Sequence, residues 1–157
     1  MGGDADRGRG VAALARAFAA MERREWGQKA FDVDYFRARL SDHRAVNLVL
    51  RTASGRLAGF MIAMPDDSVR DALFVEDTLI AKRYRGHGHV ALLGRALERE
   101  ARRRGYRVLT RDAAIANGYA DAIERAYAGR ILMRHDHPSP YGPQRYFKIA
   151  IGLRRVR

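Results

Sequence analysis

Arg83-Tyr84-Arg85-Gly86-His87-Gly88-His89 is the stretch on which the fold turns. It stands between an apolar run at 73–80 (LFVEDTLI) and a helical pattern over 90–104 that stops at Gly105. Gly86 and Gly88 allow positive φ and let the main chain come close to a ligand, while the first amides of the following helix lack internal partners. Arg83 and Arg85 add charge, and the positive end of the helix adds roughly 0.3–1 kcal/mol of attraction for an anion. The stretch therefore reads as a phosphate-binding turn. A dinucleotide-binding unit would need a further glycine where Ala91 stands, and a P-loop would need Gly-Lys-Ser/Thr, which the chain lacks.

Outward from the turn, 106–110 reads as a second strand. Upstream, 46–52 and 57–64 form a hairpin around Ala53-Ser54-Gly55-Arg56, ended by Pro65-Asp66-Asp67. Val11, Leu14, Phe18 and Met21 recur at helical spacing up to a stop at Trp26-Gly27, and a short helix over 34–40 turns Phe36 and Leu40 inward. In the helix after the turn, Leu93, Leu97 and Ala101 form a seam, with Arg95, Arg99, Arg102 and Arg103 on other faces. Downstream come a helix over 116–128 broken by Gly129, a strand over 130–134, and a proline-punctuated loop over 135–143 (HDHPSPYGP). A last strand over 145–153 alternates Phe147, Ile149, Ile151 and Leu153 against polar neighbours. Residues 1–10, rich in Gly, Asp and Arg, read as a disordered tail, and 11–157 as a single domain.

The order strand, glycine turn, helix, strand resembles the acetyl-CoA-binding core of the GCN5-related N-acetyltransferases (GNAT superfamily). Their signature, Gln/Arg-x-x-Gly-x-Gly/Ala, is matched by Arg83 through Gly88, and the likeness is strongest over 73–129. The resemblance implies an α/β fold with a mixed central sheet flanked by helices. It also implies acetyl transfer from acetyl-CoA to a primary amine, on a protein or a small molecule, by direct attack on the thioester. On this likeness, main-chain groups of Leu79, Ile80 and Ala81 meet the pantetheine amides. Arg83, Tyr84, Arg85, Gly86, His87, Gly88 and His89 hold the pyrophosphate.

The family's Asn-x-x-Ala-x-x-x-Tyr pattern is met at Asn117, a cofactor-side residue by this likeness, and at Ala120. Glu124 stands where the tyrosine belongs, and Gly129-Arg130 replaces the usual Gly-Phe. Tyr127, about one turn on, becomes the candidate proton donor to the thiolate, with Tyr119 as competitor. Glu76 is the candidate base, although a buried acid satisfied by its surroundings would look the same. The two N-terminal helices and the 135–143 loop, Tyr141 included, would wall the acceptor site. A noncatalytic acyl-CoA sensor or interaction module would keep the glycine turn without a working acid and base.

Composition narrows the partners. The 157 residues carry 30 basic against 18 acidic side chains, a formal charge of +12, which suits a phosphorylated ligand or an acidic or nucleic-acid-linked acceptor. Only Lys29, Lys82 and Lys148 are lysines, so an Arg-rich, Ala-rich composition accounts for the same charge. A nucleic-acid-binding domain would rest on that charge alone. Absence of cysteine excludes disulfides, thiolate metal sites and a cysteine nucleophile in this chain. The pairs His87/His89 and His135/His137 have no third ligand spaced to complete a metal site, so no metal is expected. No apolar run reaches membrane-spanning length, and the expected setting is cytoplasmic, with a homodimer open.

Overall fold

The computed structural model of the chain describes residues 3–152, with side chains described from residue 7. It is a mixed α/β fold: a six-stranded sheet, in the order β1-β2-β3-β4-β6-β5, flanked by helices. The strands are β1 Val46–Arg51, β2 Leu57–Pro65, β3 Ala72–Ile80, β4 Val108–Ala114, β5 Ile131–His137 and β6 Gln144–Ala150. The α-helices are α1 Gly3–Trp26, α2 Val33–Ser41, α3 His89–Arg103 and α4 Tyr119–Ala126. Two compact units are distinguished, one reaching to Ile62 and adding Asp77–Leu93, the other comprising Ala63–Glu76 and the chain from Gly94.

In the first unit, the apolar stripe of α1 buries Ala15, Phe18 and Met21. Phe18 stacks on Phe60 of β2 with centroids 4.1 Å apart and meets Phe36 of α2 edge-on at 5.6 Å. Such pairs add roughly 0.5–1.5 kcal/mol each beyond the area they bury. Strand β2 is buried from Ala58 to Met64, so it reads as a continuous apolar run instead of alternating. At Gly59 the neighbouring strand comes so close that a Cβ would lie 2.7 Å from the Leu79 carbonyl oxygen.

The tail expected over residues 1–10 is replaced from Gly3 by the first turns of α1. Propagating a helix from a nucleus already packed by Phe18 costs little per residue, so weak helix formers such as Gly8 and Gly10 are carried along. The stop does fall at Trp26, where Gly27 takes φ 58°.

In the second unit, β3 and β4 pair in parallel from Ala72↔Val108 to Val75↔Arg111. Strand β6 lies antiparallel to both β4 and β5, burying Phe147 and Ile149. Three boundaries differ from the sequence reading. Strand β4 begins at Val108 because Tyr106 N–H donates back to the Ala101 carbonyl at 2.9 Å, closing the α3 end around Gly105 at φ 88°. Helix α4 spans only Tyr119–Ala126, since Gly118 at φ 80° precedes it. The loop over 135–143 is a correction: His135, Asp136 and His137 belong to β5 and pair with Tyr146, Arg145 and Gln144. The prolines that break regular structure begin only at Pro138. Leu153, the last member of the expected alternation, lies outside the described residues. Among the described residues no helix is long and apolar enough to cross a membrane.

Candidate active site

The glycine turn has the expected backbone. Gly86 and Gly88 take φ of 83° and 76°, values that only glycine adopts without strain, and α3 opens immediately after, at His89. Its first amides are the donors an anion would meet. The two arginines of the turn are both exposed but differ in their partners. Arg85 bonds within the chain: its Nε donates to the Ile80 carbonyl at 2.9 Å and its Nη2 to Glu25 Oε2 on α1 at 2.7 Å. Arg83 is exposed, its guanidinium 5.3 Å from the Tyr84 ring centre. The His87 and His89 rings stand 6.0 Å apart.

At the end of β3, Ile80 C=O is thus engaged by Arg85, and Ala81 N–H donates to the Ala58 carbonyl at 2.8 Å. These two main-chain groups, expected to meet pantetheine amides, already have internal partners. Leu79, the third, is buried, with its carbonyl against Gly59.

Glu76 is half-buried and has contacts of its own. A carboxyl whose ionisation is shifted upward is Glu22 on α1, which is 2% exposed. Burial pushes it up to about 9, helped by a hydrogen bond with Asp77 and that residue's charge, and opposed by hydrogen bonds from the Phe31 main chain and the Trp26 side chain. Two carboxyls can bond only through a shared proton, so the pair keeps one at neutral pH. Sequence reasoning passed over Glu22 because it opens the charged run ERRE. The signal was present: Glu22 follows Phe18 by one helical turn and continues the buried stripe.

In the second unit, Tyr127 directly follows α4 as its C-cap, instead of lying inside the helix as expected. Its ring is buried under the Arg130 guanidinium, 4.9 Å from the ring centre. Its hydroxyl reaches α3 at Gly94, where a Cβ would come within 3.2 Å. Burial raises the phenol above its ordinary value, with the Arg111 charge acting against, so the proton is retained at neutral pH. Asn117 Oδ1 accepts from Tyr119 N–H at 3.0 Å, and the Tyr119 hydroxyl accepts from Arg111 Nη2 at 2.7 Å. Arg111, 5% exposed in mid-β4, is a second residue that the sequence reading missed.

Glu124, at the family's tyrosine position, bonds Arg134 at 2.8 Å and Arg145 at 3.4 Å, a structural tie to β5 and β6. His137 pairs with Asp112 at 2.7 Å, and that bond raises the imidazole above its ordinary value. The turn over 138–143 is closed by Ser139 and leaves Tyr141 exposed. Among the described residues no three His, Cys, Asp or Glu side chains gather as a metal site.

The sequence model of the acetyltransferase (GNAT) family matches residues 11–123. The chain belongs to that family. It is accordingly an acetyltransferase whose cofactor is acetyl-CoA. Solved structures share its fold. An aminoglycoside 6'-N-acetyltransferase complexed with coenzyme A is 15% identical, with 93% of this chain and 95% of that chain covered and a TM-score of 0.73. The ribosomal-protein-S18-alanine N-acetyltransferase from Escherichia coli is 19% identical over 92% of each chain, with a TM-score of 0.71. Tetrahymena GCN5 is 10% identical over 89% of this chain and 88% of that chain, with a TM-score of 0.61. A comparison with curated protein sequences finds no match.

Proposed function

We propose that this GNAT acetyltransferase acetylates a primary amine, on a protein or a small molecule, by direct attack on the acetyl-CoA thioester. The observation that carries the reading is the turn at Gly86 and Gly88, whose positive φ values immediately before α3 suit it to hold a pyrophosphate. The amine nitrogen bonds to the thioester carbonyl carbon, the carbon–sulfur bond breaks, and the thiolate leaves with the electron pair. The buried Tyr127 phenol, still protonated at neutral pH, is the proposed proton donor to that thiolate. Two protons leave the nitrogen: the one released by the ammonium before attack goes to a carboxylate of β3 and on to solvent, and the one released as the amide forms restores the Tyr127 phenol. Glu76 is the candidate from the sequence, and Asp77, beside Glu22, is the other carboxylate of that strand. The likeness in fold to enzymes named for acting on amino groups supports the choice of an amine. The absence of cysteine leaves no thiol in this chain to carry the acetyl group.

The test is release of free CoA thiol from acetyl-CoA across a panel of peptide N-termini, lysine peptides, polyamines, aminoglycosides and arylalkylamines. Turnover with at least one amine, and none with matched alcohols, is the expected outcome. Thiol release with no amine in the panel would overturn the reading.

A further inference from the structure

Glu22 presents a combination that packing alone does not require. It is an acid with 2% exposure on α1, and its Oε2 has no hydrogen-bond partner among the described residues. Its neighbours Trp26 and Phe31, both of which hydrogen-bond to it, are large apolar residues left 42% and 37% exposed. Phe31 stacks on Tyr35 at 4.1 Å, and the Arg39 guanidinium lies 4.9 Å from the Tyr35 ring centre. This aromatic surface therefore already holds a cation over one of its rings. A buried acid bonded to the side chain of one exposed aromatic residue and the main chain of another is an arrangement suited to an organic ammonium: carboxylate for the charge, rings for the carbon skeleton.

We propose that the acceptor is a primary ammonium on an aromatic or apolar body, and that Glu22 and Asp77, with Trp26 and Phe31 beside them, form the seat of that ammonium. The proposal rests on the amine-acetylation reading above and makes Asp77, not Glu76, the β3 carboxylate that meets the acceptor. Charged groups on the elements around α1 are Asp34, Arg37 and Arg39 of α2, Lys29 of the turn after α1, Glu76 and Asp77 of β3, and Arg85, which is bonded to Glu25. Asp77 is the one whose charge bears on Glu22. Without a ligand the pair holds a proton. An arriving ammonium supplies the positive charge instead, so Glu22 ionises and one proton leaves to solvent.

Phenethylamine and its neutral counterpart, phenethyl alcohol, are suitable probes of the full-length enzyme loaded with CoA. Titration calorimetry at pH 8, in two buffers of different ionisation heat, reads affinity and proton release together. Phenethylamine is expected to bind at least tenfold more tightly than the alcohol and to release protons. Glu22→Gln, which keeps the side chain's size, is expected to weaken phenethylamine at least tenfold and abolish the release. Trp26→Ala, at an exposed site, is expected to weaken it severalfold without affecting folding. No phenethylamine binding, equal affinity for amine and alcohol, or unchanged affinity in folded Glu22→Gln would each overturn the seat. Thiol release separates this proposal from the parent reading. Glu22-dependent binding with no amine ever acetylated leaves the seat and removes the amine reaction. Amine turnover with a KM indifferent to Glu22→Gln does the reverse.

Discussion

Replacing Glu22 by glutamine should change how stability depends on pH. In the unfolded chain Glu22 ionises near its ordinary 4.5, whereas in the fold it keeps its proton up to about 9. Between those values the native state binds a proton that the unfolded state does not, so stability falls as pH rises. The slope is at most about 1.4 kcal/mol per pH unit. The contribution is fully present below about 4.5 and is lost by about 9. At pH 7 the accumulated cost is on the order of 3 kcal/mol, taking the full shift. Glutamine carries no titrating proton and removes this cost. With roughly 2–4 °C per kcal/mol in a chain of this size, the variant should melt several degrees higher at pH 7–8, and the gap should close near pH 5. His137, raised by its bond to Asp112, also loses its contribution as pH rises, but it is common to both proteins and cancels in the difference. The assay is thermal unfolding of both proteins from pH 5 to 9. Parallel profiles would refute the reasoning, since they would mean that Glu22 is ionised in the fold or reaches solvent.

Gly86→Asp puts a negative side chain into a backbone held at φ 83°, and acetyl-CoA binding by calorimetry is expected to fail while circular dichroism stays native. Tyr127→Phe keeps the buried ring and removes only the hydroxyl, so kcat should fall at least tenfold with cofactor affinity nearly unchanged; a kcat within twofold would make Tyr127 a packing residue. Gly59→Ala would set a Cβ 2.7 Å from the Leu79 carbonyl oxygen, and urea unfolding should show a loss of about 1–3 kcal/mol, where a change below ~0.5 kcal/mol would mean that the strands yield freely.

The elements legible in the sequence were those with strong local signals. The 3.6-residue stripe of Val11, Leu14 and Phe18 gave the buried face of α1 and its end at Trp26 but not its start at Gly3, while the hairpin around Gly55 and the run from β3 through the glycine turn into α3 were read near their observed bounds. Errors arose where a tertiary partner supplied what the local sequence lacked. Strand β5 carries His135, Asp136 and His137, which look like loop, yet β6 pairs with all three. Tyr106 looked like strand, yet its amide completes the end of α3. The site followed the same division. A backbone conformation needing glycine is announced by glycine, so the turn was visible. The Glu22–Asp77 pair joins residues from α1 and β3, and its shared proton depends on burial that no short window of sequence reveals.

The bonding of Arg85 changes what the net charge of this enzyme can be taken to mean. With its guanidinium neutralised by Glu25 and tied to Ile80, Arg85 acts as a brace between α1 and the end of β3. On the proposed reading, the pyrophosphate would then be met by peptide N–H groups, which neither titrate nor exchange counterions as side-chain cations do, with Arg83 as the exposed arginine of the turn that has no such tie to β3. A cradle of this kind owes its selectivity to shape fixed by two glycines. It would depend less on the overall sign of the chain than on these few groups, and the surplus of arginine away from the turn would need another explanation than the cofactor.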